Sequence, residues 1–71
     1  MRVVFLSNDP VALNFAETAL RAEGLDCVLL DAATSAAEGS IGAIPRRLVV
    51  AAGDAAAAQN LLRAIGLDPY D

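Results

Sequence analysis

The stretch that decides the fold is CVLLDAATSAAEGSIGAIPRRLVVA, residues 27–51. Its two ends, Cys27 to Leu30 and Arg47 to Ala51, are short apolar runs bounded by polar or turn residues, which predicts two strands. The residues between them, Ala32 to Arg46, contain capping-box spacing for a single helical turn, followed by the turn formers glycine and proline. The pattern therefore predicts two successive strands joined by a long loop.

The residues before this stretch predict a strand followed by a helix. Arg2 to Ser7, RVVFLS, is a short β-branched and aromatic run of the kind found in buried strands. Asp9 and Pro10 then form a strong helix start, because an Asp N-cap accepts from an unpaired backbone N–H and proline suits the first helical position. Gly24 is expected to end this helix.

The residues after the stretch predict a second helix, with Asp54 as its N-cap and Gly66 at its end. The element order is therefore β-α-β-β-α. A right-handed crossover between parallel strands one and two leaves the third strand to enter between them, antiparallel to both, in the order 1-3-2. We predict an α+β fold, a ferredoxin-like half-sandwich formed by one domain over residues 1–71, with two helices on one face of the sheet and an open outer edge on strand one.

Both faces of this sheet are predicted to be apolar. Strict alternation along strand one puts Val4 on the face opposite to Val3 and Phe5, and the other two strands are apolar on both faces as well. Two helices can cover only one face. We therefore expect the second face to be buried against another copy of the chain in a homo-oligomer. The alternative is that the C-terminal tail and the long loop fold over it.

The composition excludes several classes of function. The chain has nine acidic and five basic residues and a net charge of −4, so it lacks the basic field that nucleic acids attract. It has no histidine and a single cysteine, which leaves no internal disulfide and no ligand set for an ordinary transition-metal site. The sequence shows no signal-peptide pattern and no apolar run long enough for a membrane span. We expect a cytoplasmic protein that binds neither nucleic acid nor membrane and needs no metal or cofactor.

Polar residues are predicted to meet at one end of the sheet. Strands one and two end there and strand three begins there, so two arginines and the start of the first helix should lie close together. Guanidinium groups, glycine-rich backbone and free helical N–H groups suit an anion such as phosphate or carboxylate. The alternative is that the arginines pair with Asp9 and Asp31 and hold the loop. The candidate ligand-binding residues are Asn8, Gly39, Gly42, Arg46 and Arg47.

No residue pattern favours catalysis. Cys27 opens a strand, where cysteine more often packs as a small hydrophobe, and no histidine is present to activate it. Asp9 and Asp31 could form a carboxylate pair for acid–base chemistry, but Asp9 is better explained as a helix cap. The glycines of residues 39–42 have neither the spacing nor the lysine of a P-loop. We therefore predict that the protein is not an enzyme and has no catalytic residues.

Two segments, SNDPVAL at residues 7–13 and EGSIGAIPRRLVV at residues 38–50, give the chain a family resemblance. It resembles a small bacterial family of unknown function whose members are described as prokaryotic signal-transducing proteins, over nearly the whole chain. The resemblance implies a ferredoxin-like fold related to the PII-type nitrogen regulators, which are oligomers that bind nucleotides in clefts between subunits. It also implies contact with targets through the loop between strands two and three, here Ala32 to Arg46.

Two functional hypotheses follow from these observations. The leading one is a small non-enzymatic regulatory or protein-interaction module for signal transduction, homo-oligomeric, with the 32–46 loop as its contact element. The alternative is a sensor that binds an anionic small molecule or nucleotide at the end of the sheet that carries Arg46 and Arg47. Loss of the arginines should abolish the response to ligand in a sensor, whereas in an interaction module it should lower stability or loop order.

Overall fold

The computed structural model of the protein describes residues 1–31 and 45–70. The order of the elements is the predicted one, and the bounds of the second and third strands differ by one residue from the predicted bounds. Neither helix of the described residues has the length and apolar character needed to cross a membrane. The elements are strand β1 (Arg2–Ser7), helix α1 (Pro10–Ala22), strand β2 (Cys27–Asp31), strand β3 (Arg46–Val50), a 3₁₀ turn (Ala52–Asp54) and helix α2 (Ala55–Ala64).

The three strands form one sheet in the order β1-β3-β2. Strand β3 lies in the middle and pairs antiparallel with both of its neighbours, so β1 and β2 run parallel to each other on either side of it. The predicted fold, an α+β ferredoxin-like half-sandwich, is confirmed.

Strand β1 contains a β-bulge that changes which of its side chains face the helices. Val3 pairs with Val49, and Phe5 pairs with Leu48. Val4 is thus an extra residue without a partner across the sheet. Because of this insertion, Val4 and Phe5 both lie in the core although they are neighbours in sequence. The strict alternation predicted for this strand is therefore wrong, and Val4 faces the helices.

Helix α1 begins and ends as the sequence predicts. Asp9 is its N-cap, because its Oδ1 atom accepts a 2.9 Å hydrogen bond from the backbone N–H two residues on, and Pro10 occupies the first turn. At the other end Gly24 has a φ of +79°, a conformation that glycine adopts without strain. The Leu25 N–H then donates to the carbonyl of Leu20 over 3.0 Å, which closes the helix as in a Schellman motif.

Helix α2 begins differently from the prediction. Asp54 stands at its N-cap position, but its side chain makes no capping hydrogen bond. Its backbone is already helical, with φ −100° and ψ −3°, whereas a capping residue is normally extended. The chain instead enters the helix through the 3₁₀ turn, in which the Asp54 N–H donates to the carbonyl of Ala51 over 2.9 Å. The predicted capping role of Asp54 is therefore wrong.

The apolar core lies between the helices and one face of the sheet. Residues spaced three or four apart on each helix, such as Leu13, Ala16 and Leu20 on α1, supply its helical side. No polar or charged side chain of the described residues is buried, so burial of apolar surface is what holds these layers together. The largest fully buried side chains are Val4, Leu13, Leu20, Leu48, Val50 and Leu62.

The residues after α2 return to the outer edge of β1. The backbone N–H of Tyr70 donates to the carbonyl of Val4, the bulge residue, over 2.7 Å. The side-chain amide of Gln59 donates in turn to the Tyr70 carbonyl over 3.3 Å, and Leu67 packs against the core. The C-terminal segment therefore occupies this edge at Val4, and the prediction of an open edge on strand one is wrong at that point.

Candidate functional site

The side of the sheet that faces away from the helices is the candidate functional site. Successive residues of a strand point to opposite sides of a sheet. Leu48 and Val50 of the central strand lie in the core, so their neighbours Arg47 and Val49 project to the other side. The pairing aligns each of these two residues with one residue on β1 and one on β2. The surface, named the open face below, consists of the row Val3, Val49, Val28 and the row Leu6, Arg47, Leu30.

The open face is apolar and accessible in the single chain. Val28 is 46 % exposed, Leu6 41 % and Leu30 39 %, and only Val49 in the middle of the sheet is buried. Neither helix of the described residues covers this surface, because the helices pack on the other side of the sheet. A contiguous apolar surface on a small protein indicates a site of interaction.

Of the three segments or partners predicted to cover the open face, two belong to the same chain: the C-terminal segment and the long loop. The C-terminal segment runs along the edge of β1, where Tyr70 bonds to Val4, and it leaves Val28 and Leu30 on the opposite edge strand exposed. Residues 32–44 of the long loop lie outside the described residues. The third cover, a second copy of the chain, stays a prediction.

The two arginines of the predicted anion site lie on opposite sides of the sheet. In the sheet, Arg46 stands opposite Ser7 of β1 and Asp31 of β2. It lies two residues before the core residue Leu48, so the alternation of the strand puts it on the side of the sheet that carries the helices. Arg47 lies on the central strand, between Leu6 and Leu30 at one end of the open face, and is exposed. Within the described part of the chain it has no ion-pair partner. The structure therefore brings Arg46, but not Arg47, to the side of the sheet on which α1 begins.

The other predicted site residues divide between the helix start and the loop. Asn8 is exposed directly before the N-cap of α1. At this turn the Ser7 Oγ accepts a 3.0 Å hydrogen bond from the Asp9 N–H, so local side chains fix the entry into the helix. Gly39 and Gly42 lie outside the described residues. The anion site as a whole stays a prediction.

Cys27 packs in the core, as the sequence predicts. It is buried at the start of β2, and burial raises the pKa of its thiol, against a smaller opposing effect of the Arg21 guanidinium. Arg21 donates to the Glu17 carboxylate over 3.0 Å and to the Cys27 carbonyl over 2.9 Å. This arginine therefore ties the end of α1 to the start of β2, and it does so through the backbone of Cys27.

Sequence reasoning found the apolar character of the open face but missed the position of Arg47 within it. Alternation along the predicted strand, Arg47 to Ala51, already puts Arg47 on the same face as Val49, but the sequence does not show which of the two faces the helices cover. The bulge at Val4 has no comparable signal. The segment RVVFLS contains neither the glycine nor the proline that often marks such an irregularity.

A comparison with protein families gives a match over nearly the whole chain. A family model described as "Putative prokaryotic signal transducing protein" matches residues 1–66. The matched range includes all three strands and both helices. No curated protein and no solved structure matches the chain.

Proposed function

The chain belongs to the family described as "putative prokaryotic signal transducing protein", and we propose that it is a cytoplasmic, non-enzymatic signalling module that binds another protein through the open face. The observation that carries the proposal is the exposure of three large aliphatic side chains, Leu6, Val28 and Leu30, on a surface that the helices leave uncovered. Burying such side chains against a partner removes apolar surface from water, which is the main driving force of protein association.

The shape and composition of the open face favour a protein as its partner. One face of a three-stranded sheet is broad and shallow, whereas small ligands are usually held in clefts that surround most of their surface. The centres of protein interfaces are depleted in most charged residues but enriched in arginine. Arg47 with aliphatic side chains on both sides has this composition.

The loop of residues 32–46 is the second contact element in this proposal. It leaves β2 after Asp31 and enters β3 at Arg46, and these two residues pair with each other. The preceding pair, Leu30 with Arg47, belongs to the open face. A partner seated on the open face would therefore reach the base of the loop as well.

The proposal is tested with Val28→Glu and with Val11→Glu as its matched control. Val28 is on the open face, whereas Val11 is 76 % exposed on α1. Both variants place a carboxylate at a position that is exposed in the single chain, so both should fold, which circular dichroism can check. In extracts of cells that overexpress the tagged chain, concentrated to about 1 mM of the chain so that weak complexes stay populated, we expect the wild type and Val11→Glu to sediment in a complex, and Val28→Glu to sediment as the single chain. Identical profiles for all three proteins would contradict the proposal.

The second candidate function is a sensor of an anionic small molecule or nucleotide. The observation in its favour is the pairing of Arg46 with Ser7 just before the start of α1, where unpaired helical N–H groups attract anions. Its test is an amide NMR titration at low salt with ATP, ADP, cyclic nucleotides, phosphate and dicarboxylates. Saturable shifts confined to the neighbourhood of Asn8 and Arg46 would support a sensor. No response to any of these compounds would reject it.

A further inference from the structure

We propose that the partner on the open face is a second copy of this chain. The two copies pack face to face with their strands antiparallel, so that Arg47 of each copy meets Asp26 of the other. This inference rests on the proposed function and adds the identity and the orientation of the partner. Its basis is the distribution of charge at the two ends of the open face.

Asp26 marks the end of the open face that lies farthest from Arg47. It precedes β2 and stands between Leu25 and Cys27, both of which pack on the core side. If the alternation of β2 continues by one residue, the position between these two core-facing neighbours belongs to the other side of the sheet. Asp26 is exposed there, although its charge also contributes to raising the pKa of Arg21 at the end of α1. Because Cys27 pairs with Val50, Asp26 lies just beyond the row of three valines, and Arg47 lies on the other side of that row.

The two charges are too far apart to pair within one chain. Residues two apart on a strand are separated by roughly 6.6 Å and neighbouring strands by about 4.8 Å. Along the sheet the Cα atoms of Arg47 and Asp26 are therefore roughly 14 Å apart. Consistent with this separation, no ion pair joins them. The open face thus has a positive and a negative end with an apolar middle.

A two-fold axis that runs across the strands through the valine row pairs these ends. It places Val49 of one copy over Val49 of the other, and it places Arg47 over the row that contains Asp26. The contact between Arg47 of one copy and Asp26 of the other forms twice, because a two-fold interface is self-complementary. A lateral offset of one strand, about 4.8 Å, and a sheet separation of about 10 Å put the Cα atoms of the two residues roughly 11 Å apart, which the long arginine and the aspartate side chains can span together.

The other two-fold arrangement, with the axis along the strands, is disfavoured. It would place Arg47 of one copy over Arg47 of the other across a sheet separation of about 10 Å. Two like charges would then be enclosed by apolar side chains, where their repulsion is poorly screened. The strands of two packed sheets stay within about 30° of alignment. The antiparallel and the parallel arrangement of the two copies therefore remain distinct, because they differ by a half turn.

The size of the open face predicts a reversible dimer. Three strands about 4.8 Å apart and five residues at about 3.3 Å each give roughly 250 Å² of flat area per copy. Stable interfaces bury about 800 Å² on each partner. The open face is far smaller than such an interface, so we expect a weak dimer that dissociates reversibly at about micromolar to millimolar concentrations of the chain, in the range where a change in cellular concentration changes the fraction of dimer.

A charge-swap experiment on the purified full-length chain tests the arrangement. Sedimentation equilibrium at low salt, over concentrations that bracket this range, is measured for the wild type, Asp26→Arg, Arg47→Glu and the double variant. Each single change should weaken dimerisation by about tenfold or more, and the double variant should recover most of the loss. Arg63→Glu on α2 is the control, because it changes the net charge as Arg47→Glu does but lies away from the open face. Thermal melts confirm that each variant is folded.

The outcomes separate this inference from the proposed function. Recovery in the double variant supports the antiparallel dimer. A dimer that neither single change weakens overturns the arrangement. A third outcome is that the purified wild type is monomeric at every concentration, while in extracts Val28→Glu, and not Val11→Glu, still dissociates the complex. The partner is then a different protein. The inference is then wrong and the proposed function stands.

Discussion

Replacing Asp9 by alanine should destabilise the protein more than replacing Asp54, although both residues stand at helix N-cap positions. Asp9 has an extended backbone, with φ −93° and ψ 110°, and accepts a 2.9 Å hydrogen bond from the Val11 N–H. Asp54 has a helical backbone and makes no capping bond. Loss of a functioning cap lowers the free energy of unfolding by about 1 kcal/mol, within a range of about 0.5–2. We expect this loss for Asp9→Ala, and less than about 0.5 kcal/mol for Asp54→Ala.

Urea unfolding at neutral pH, followed by circular dichroism, measures these free energies. In thermal melts of a domain of this size, 1 kcal/mol corresponds to a shift of roughly 4–8 °C in Tm. Asp9→Asn is the rescue variant, because asparagine can accept the same hydrogen bond, and it should retain most of the stability. Equal losses for the two alanine variants, or an asparagine variant as unstable as Asp9→Ala, would refute the reasoning.

Two other predictions concern a helix end and the buried thiol. Gly66→Ala should lower the free energy of unfolding by about 1 kcal/mol, because a φ of +88° strains a residue with a Cβ even though open space surrounds it. Gly53→Ala has the same open space without a positive φ, so it should be neutral to within about 0.5 kcal/mol in urea unfolding; equal losses would argue against backbone strain. Burial raises the pKa of the Cys27 thiol above its ordinary value of 9.0, so the folded state holds this proton more tightly than the unfolded state. Stability from this source is complete below the unfolded pKa and decreases as pH rises above it. Thermal melts from about pH 7 to about pH 10 should show a decrease that Cys27→Ala lacks, and identical pH profiles would contradict it.

The order of the elements could be predicted because its signals are local. Asp9 followed by Pro10, and Gly24 at the end of the helix, specify α1 through backbone geometry that the residues carry with them. The strand order then follows from the right-handed crossover through α1, which leaves β3 to enter between β1 and β2. None of these steps needs knowledge of distant contacts.

The features that escaped prediction depend on tertiary context. Asp54 has the residue type of a cap, but the 3₁₀ turn before it sets its backbone in a helical conformation. The bulge at Val4 lets two adjacent residues of β1 enter the core. The bond from Tyr70 to Val4 joins chain segments that are far apart in sequence. In each case the local sequence permits more than one backbone conformation, and packing against distant residues selects the observed one.

For the candidate site, sequence alone indicated an apolar second face and two arginines near one end of the sheet. It did not assign these features to surfaces, since that assignment needs the register of β3 against both of its neighbours. The observed register places Arg47 among Leu6 and Leu30 and places Arg46 beside Ser7. The apolar face and one of the arginines thereby become a single surface, which is the basis of the proposed function.

Photo-crosslinking in living cells tests the central claim, that the open face binds a protein, most directly. A photoreactive amino acid replaces Val28 in one version of the chain and Val11, exposed on α1, in the other. The account predicts a discrete crosslinked product from position 28 and none above background from position 11. A product of twice the mass of the chain would identify the partner as a second copy. No product from position 28, or equal products from both positions, would contradict the claim that the open face is the binding surface.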